Sequence, residues 1–183
     1  MNDAICIGLI ADTHIPGARK SLWPQVYDAF ASVDYIVHAG DLHVPQVIDD
    51  LASLAPTYAV RGNGDVGVDH PQLEDTWVLD LGGVKIGVVH EFPTPRRNSS
   101  KVLEARLAKV FPEPPPDVVV YGHTHHEELH RVNDVLYINP GSPTLPRNRS
   151  TRLGTIGFLR VNSGTVSGRL FQITDHGIEP IVR

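Results

Sequence analysis

Seven polar side chains in this sequence belong to the types that bind metal ions, and each follows an apolar segment. They are Asp12, His14, Asp41, Asn63, His90, His123 and His125. Carboxylate, amide and imidazole groups without a thiolate suit Mn²⁺, Fe, Ni²⁺, Co²⁺ or Zn²⁺. Seven ligands exceed one tetrahedral site and fit two adjacent ions that share one carboxylate. Two ions about 3.5–4 Å apart can hold the attacking and leaving oxygens of a phosphoryl displacement.

Taken singly, these residues have simpler explanations. An aspartate that follows a strand, such as Asp12, often accepts hydrogen bonds in an Asx turn. The pair His123 and His125 is compatible with an ordinary pair of surface histidines. A metal site is favoured because all seven residues fall at the same kind of position. The elements that precede them therefore decide whether they can meet.

The first third of the chain predicts alternating strands and helices. Three apolar segments predict strands, at residues 4–10, 34–39 and 56–60. Two segments with apolar residues at helical spacing predict helices, at residues 21–30, with Ser21 as N-cap, and 44–54. This alternation predicts parallel strands joined by right-handed crossovers. Their carboxyl ends then share one edge of the sheet, where ligands bind in open α/β sheets.

The rest of the chain has a different pattern. Three antiparallel pairs are predicted, 75–81 with 84–90, 127–132 with 135–139, and 155–161 with 165–171. Between them lie a predicted helix at 99–110 and a short apolar strand that ends at Gly122. We expect one α/β domain over residues 1–183, with a parallel first half, a largely antiparallel second half resembling the α+β class, and helices covering the sheet faces.

The composition limits the classes of function. With 183 residues, 41% of them hydrophobic and 20% charged, the chain predicts a soluble globular domain. The net charge of −5 argues against a general nucleic-acid-binding surface. The single cysteine, Cys6, cannot form a disulfide within the chain. Neither a signal peptide nor a membrane span is indicated, so we expect a cytoplasmic protein that binds no membrane.

The motifs, in this order, resemble those of the calcineurin-like metallophosphoesterase superfamily. They are Asp12-x-His14, Gly40-Asp41, Gly62-Asn63-x-Asp65, His90 and Gly122-His123-Thr124-His125. The chain is most similar to the superfamily's small single-domain phosphodiesterases, relatives of the retromer subunit Vps29. The stretch Asn139-Pro140-Gly141-Ser142-Pro143 with Pro146-Arg147 also resembles that subfamily.

The resemblance implies a four-layer αββα sandwich, in which two mixed sheets pack together with helices outside. It implies one divalent ion on Asp12, His14, Asp41 and His125, and a second on Asp41, Asn63, His90 and His123. Mn²⁺ is the favoured ion, with Ni, Co, Fe and Zn as alternatives. A hydroxide between the ions is the implied nucleophile, because two cations lower the pKa of bound water. Asn63 and the ions would neutralise phosphoryl oxygens in the transition state.

The sequence departs from the family pattern in two places. Many relatives carry Gly-Asn-His-Glu, whose histidine protonates the leaving group, whereas Gly64 stands at that position here. Without that acid, aryl and nucleotide leaving groups are expected to react best. The loop at residues 91–98, which often covers the substrate in relatives, also differs from the family pattern. The sequence of this loop therefore does not indicate which phosphoester is the substrate. Arg147 is our candidate for binding the substrate phosphate.

Four further residues near the motifs have predicted roles. Asp65 is expected to cap a turn or to orient Asn63 or a metal ligand. His38 is expected to be a buried partner, and His126 is expected to be exposed. His43 follows Asp41 closely enough to be a candidate for facing the site.

The complete ligand set predicts a dinuclear-metal phosphoesterase, with phosphodiesters as the favoured substrates. A phosphomonoesterase that acts on small phosphorylated metabolites is the alternative within the same class. A Vps29-like protein-binding scaffold is the alternative outside it. We expect a small-molecule phosphoester as the ligand rather than nucleic acid, and association with further copies of the chain stays open.

Overall fold

Two mixed β-sheets and three α-helices make up residues 4–151 and 153–182, the part of the chain that the computed structural model describes. The strands are β1 (Ile5–Ile10), β2 (Tyr35–His38), β3 (Thr57–Val60), β4 (Leu73–Glu74), β5 (Thr76–Leu81), β6 (Val84–Val89), β7 (Val118–Val120), β8 (Glu128–Val132), β9 (Val135–Asn139), β10 (Thr155–Asn162), β11 (Thr165–Thr174) and β12 (Gly177–Pro180). The helices are α1 (Pro24–Phe30), α2 (Gln46–Ala52) and α3 (Ser100–Val110), with a short 3-10 helix at Arg149–Thr151.

The first sheet has the strand order β12-β11-β10-β1-β2-β3-β4. Strands β1, β2 and β3 are parallel, as the alternating pattern predicts. Strand β4 also runs parallel to β3, and β10 pairs antiparallel with β1. Ile10 lies opposite His38, and His38 lies opposite Ala59. Because these strands end at the same level, the residues that follow them emerge at one edge of the sheet.

The second sheet has the order β5-β6-β7-β9-β8. The second half of the chain is largely antiparallel, as predicted, since β5 pairs with β6, β8 with β9 and β10 with β11 in this way. The exception is β7, which lies between β6 and β9 and runs parallel to both. Helix α3 connects β6 to β7, and a crossover connection of that length allows β7 to pair parallel with β6. Val88 lies opposite Val120, so His90 and Gly122 emerge at one edge of this sheet too.

Apolar side chains fill three layers of core. The largest cluster lies between the sheets and includes Leu9, Val37, Val88 and Val120. A second cluster packs α1 and α2 on the outer face of the first sheet, and a third packs α3 on the second sheet. This confirms the four-layer αββα sandwich. Within the described ranges, no helix combines the length and the apolar character needed to cross a membrane.

The boundaries of several elements differ from the prediction. Helix α1 begins at Pro24 with Trp23 as its N-cap, so the prediction of Ser21 is wrong. Proline has the fixed φ that suits a first helical position, and this outweighs the capping preference of a serine. The short edge strands β4 and β12 were not predicted, because two to four residues give no readable alternation.

The close contact between β1 and α1 generates a test of this packing. A Cβ added to Gly8 would lie 2.8 Å from the ring of Phe30, which is fully buried. Gly8→Ala is therefore expected to lower the free energy of unfolding by about 1–3 kcal/mol, because the rigid ring has no room to move. Chemical denaturation measures this change.

Gly157→Ala is the matched control, because Gly157 is buried on the neighbouring strand β10 and its added Cβ would meet no heavy atom closer than 3.4 Å. It is expected to cost less than about 1 kcal/mol. Equal losses in both variants would contradict this account of the packing between β1 and α1.

Candidate metal centre

Six residues in the turns after β1, β2 and β7 have left-handed backbone conformations. They are Asp12, His14, Asp41, His43, His123 and His125, with φ between 44° and 74°. Residues with side chains adopt this region uncommonly, and such strain is concentrated at functional sites. The conformation bends each turn sharply just after its strand, so that side chains two apart, such as His123 and His125, are not constrained to a common strand face.

The first group of side chains comprises Asp12, His14, Asp41 and His125, and one ligand atom of each lies within 4.8 Å of the others. His14 Nε2 lies 3.2 Å from His125 Nε2 and 3.4 Å from Asp41 Oδ2. His125 Nδ1 donates to the carbonyl of Leu145 at 2.8 Å, which leaves the Nε2 lone pair free to face the group. Two lone pairs and two carboxylates that converge in this way form a possible metal site.

Asp12 supplies independent support for a cation at this position. Its side chain is fully buried, and Oδ1 accepts a hydrogen bond from the His123 amide at 3.0 Å. Oδ2 is buried without a hydrogen-bond partner among the described residues. Burial, and then the nearby Asp41 carboxylate, raise the pKa of Asp12 well above its ordinary value. A buried carboxylate oxygen without a partner is costly, and a bound cation would remove that cost.

The second group of side chains comprises Asp41, Asn63, His90 and His123. Asn63 Oδ1 lies 3.2 Å from His90 Nε2 and 3.0 Å from His123 Nδ1, and the two imidazole nitrogens are 3.3 Å apart. His90 Nδ1 donates to the carbonyl of Ala39 at 2.8 Å, so its Nε2 also faces the group with a lone pair.

Asp41 lies between the two groups. Its Oδ2 faces His14 at 3.4 Å, and its Oδ1 faces His90 at 3.6 Å. Burial lowers the pKa of both imidazoles, and this keeps them in the neutral form that binds metals. The structure therefore brings all seven predicted residues together, in two groups that share one carboxylate.

Residues 5–173 match the sequence profile described as the calcineurin-like phosphoesterase superfamily domain. The chain belongs to the calcineurin-like phosphoesterase superfamily. Members bind divalent metals, and the resemblance noted from the motifs is confirmed.

Individual relatives agree with this family. A probable metallophosphoesterase of Methanothermobacter thermautotrophicus is 36% identical over 77% of this chain and 78% of its own length. A phosphodiesterase of Methanocaldococcus jannaschii is 31% identical over 74% of this chain and 82% of its own. The structure of vacuolar protein sorting 29 from Cryptosporidium parvum superposes with a TM-score of 0.80 at 21% identity, covering 97% of this chain and 96% of the other. Because the sequence identity to vacuolar protein sorting 29 is only 21%, this structural match supports the fold alone.

Asp65 has a larger part in this calcineurin-like phosphoesterase than a turn cap. Its fully buried carboxylate accepts backbone hydrogen bonds from Asp41 and Gly62 at 2.8 Å and from His43 at 2.7 Å. The turn after β2 and the turn after β3 are thereby tied to one side chain. The Gly62-Asn63-x-Asp65 motif was the signal in the sequence, but it did not reveal that Asp41 depends on it.

The Asn-Pro-Gly-Ser stretch supports the ligands from the other side. Asn139 Nδ2 donates to the carbonyl of Gly122 at 2.8 Å, beside the turn that carries His123. Ser142 Oγ donates to the carbonyl of Asp12 at 2.7 Å. One segment therefore donates hydrogen bonds to two ligand-bearing turns. This role of Asn139 and Ser142 was not predicted from the sequence.

Three other histidines have positions that can be compared with their predicted ones. His38 is fully buried as expected; it accepts from the Gly40 amide and donates to Thr13 Oγ1, and burial lowers its pKa to about 4. His126 was predicted to be exposed but is half-buried. Its Nδ1 lies 3.1 Å from the carbonyl of Glu127. His43 packs edge-on against His14, with ring centroids 4.4 Å apart.

His43 also fills the space that Gly64 leaves. A Cβ added to Gly64 would lie 2.5 Å from His43 Nε2 and 3.1 Å from Asp41 Oδ1. An imidazole from the turn after β2 therefore stands where a side chain at position 64 would otherwise begin.

The hydrogen bonds of Asp65 generate a prediction for metal binding. Asp65→Asn replaces one acceptor oxygen by a donor, so at least one of the amides of Asp41, Gly62 and His43 loses its partner. The expected loss is about 1–3 kcal/mol of unfolding free energy, with roughly 10–100-fold weaker Mn²⁺ binding. Denaturation and titration calorimetry measure the two effects.

Asp75→Asn is the matched control, because that side chain is 90% exposed and its one ion pair within the described residues is with Arg61 at the surface, at 3.5 Å. It is expected to leave stability and Mn²⁺ affinity close to those of the wild type. If Asp65→Asn behaves like this control, Asp65 does not hold the ligands in place.

Proposed function

We propose that this protein is a phosphodiesterase that holds two divalent ions, with Mn²⁺ favoured. The observation that carries the proposal is the position of Asp41, whose two oxygens face two separate groups of ligands. Asp12, His14 and His125 would hold one ion together with Asp41. Asn63, His90 and His123 would hold the other. When bound, such ions supply an activated water and neutralise charge on the phosphoryl group.

The net positive charge that this centre would have with two divalent ions bound favours an anionic substrate. Asp12 and Asp41 are buried, and two carboxylates neutralise only half the charge of two divalent ions. A phosphoester would supply the missing negative charge. The opening for it lies on the side of Asn63 and His123, since both residues are exposed whereas His90 is buried. The amide of Asn63 is placed there to contact a phosphoryl oxygen.

Arg147 supports the assignment of this open side to the substrate. It lines the pockets beside His123, and its amide donates to the carbonyl of His125 at 2.9 Å. Because its backbone is held next to a candidate ligand, its exposed guanidinium can reach a phosphate oxygen at the open side. The likeness to the M. jannaschii phosphodiesterase favours diesters over the monoester alternative.

The proposal predicts hydrolysis of bis(p-nitrophenyl) phosphate in the presence of Mn²⁺. Asp41→Ala and His123→Ala are each expected to lower kcat/KM by at least about 100-fold, because each variant removes an ion ligand. Release of p-nitrophenol measures the rate. His176→Ala makes the same chemical change on the exposed turn between β11 and β12 and is expected to retain full activity.

Equal activity in the wild type, Asp41→Ala and His123→Ala would contradict the proposal. Absence of hydrolysis by the wild type with every divalent ion tested would favour the scaffold alternative instead.

A second prediction concerns the leaving group. Gly64 offers no proton donor, so the rates for a series of methyl aryl phosphodiesters are expected to fall steeply as the pKa of the released phenol rises. His43→Ala is expected to show the same steep dependence. A shallow dependence in the wild type that becomes steep in His43→Ala would show instead that the imidazole beside Gly64 assists the leaving group.

A further inference from the structure

A pocket of about 260 Å³ opens beside the exposed candidate ligand His123. The loop at residues 91–98 forms one wall with Thr94, Arg96 and Arg97, and Arg147 stands on another. Three guanidinium groups therefore border a pocket that adjoins the metal centre. This is unexpected for a chain whose net charge is −5.

A buried carboxylate holds the loop in place. Glu128 is 3% exposed; it accepts hydrogen bonds from Thr94 Oγ1 and, at 3.1 Å, from the hydroxyl of Tyr121. Arg96 Nε lies 3.6 Å from Glu128 Oε1, so one of the three guanidinium groups is paired. Burial, and then the nearby Glu128 charge, raise the pKa of Tyr121 well above its ordinary value, so its hydroxyl remains a donor.

The other two arginines have no such partner. In residues 4–151 and 153–182, no carboxylate lies within ion-pair distance of Arg97 or Arg147. Both are held through their backbones: the Arg97 amide donates to the carbonyl of Thr94 at 3.1 Å, and the Arg147 amide donates to the carbonyl of His125. Their backbones are thus fixed beside the pocket, and their exposed guanidinium groups are available to an anion.

The metal centre does not account for the charge of Arg97, and Arg147, already assigned to a substrate phosphate, lines the same pocket. Together with Asp12 and Asp41, two divalent ions would keep two positive charges, which one hydroxide and the single negative charge of a diester phosphate would balance. Arg97 lies on the loop after β6 and lines the pocket beside His123, and none of the first group of ligands lines that pocket. A guanidinium pair recognises phosphate by charge-assisted, bidentate hydrogen bonds, which are stronger than neutral ones.

We propose that the pocket binds a second phosphate of the substrate, through Arg97 and Arg147, while the scissile diester lies at the metal centre. This inference rests on the proposed phosphodiesterase function. The substrate class that follows is a small phosphodiester with a terminal phosphate on the same molecule, such as a phosphorylated nucleotide ester.

Two substrates that differ in one phosphate test the inference. Thymidine 5′-(p-nitrophenyl phosphate) is compared with the same compound carrying a 3′-phosphate, with Mn²⁺ present. The wild type is expected to prefer the 3′-phosphorylated compound by at least about tenfold in kcat/KM, because charge-assisted hydrogen bonds form only with it. Arg97→Ala is expected to abolish the preference.

Arg160→Ala is the matched control. Arg160 is exposed and lies opposite Cys6, near the amino end of β1 and away from the ligand-bearing edge. This variant loses the same charge and is expected to keep the preference. Hydrolysis of both compounds at equal rates by the wild type, or a preference that survives in Arg97→Ala, would overturn the inference and leave the phosphodiesterase proposal intact. Hydrolysis of neither compound would overturn both.

A binding measurement separates the pocket from catalysis. Thymidine 3′,5′-bisphosphate is titrated into the metal-free protein and compared with thymidine 5′-monophosphate. Tighter binding of the bisphosphate, lost in Arg97→Ala and kept in Arg160→Ala, is the expected result. Equal binding of the two nucleotides by the wild type would contradict a second phosphate site.

Discussion

One buried carboxylate sets the geometry on which the candidate centre depends. Asp65 accepts hydrogen bonds from the amides of Asp41, His43 and Gly62, which belong to turns after two different strands. With both turns fixed, Asp41 has one oxygen toward each group of ligands, and Oδ1 also accepts from the Gly64 amide at 2.7 Å. Metal ligands need partners of this kind, because an ion site is only as precise as the side chains that position its ligands.

Both sheets contribute ligands to the centre, four from the first and three from the second. His90 comes from the second sheet, yet its Nδ1 donates to the carbonyl of Ala39 after β2 in the first. The His123 amide donates to Asp12, which links the turns after β7 and β1 in the same way. The centre therefore lies where the ligand-bearing edges of both sheets meet, and it depends on how the sheets pack as much as on either sheet alone.

The convergence of the seven candidate ligands could be predicted from the sequence because each follows an apolar strand, and a buried strand fixes where the next residues emerge. The strand order of the second sheet was harder to predict from the sequence. The parallel position of β7 depends on a crossover through α3, which local periodicity does not report. The same holds for side chains that act across the fold. Asp65 lies 24 positions from Asp41 in sequence, and only the tertiary structure shows the hydrogen bond between them. Arg97 lies 50 positions from Arg147, and only the tertiary structure shows that both line one pocket.

We propose that the Asp41 carboxylate is shared by two ions, and diffraction at the manganese absorption edge tests this most directly. Crystals of the protein grown with Mn²⁺ are predicted to show two anomalous peaks about 3.5–4 Å apart, one beside each oxygen of Asp41. The peak farther from Asn63 should contact Asp12, His14 and His125. A single peak, or two peaks that do not share Asp41, would contradict the account.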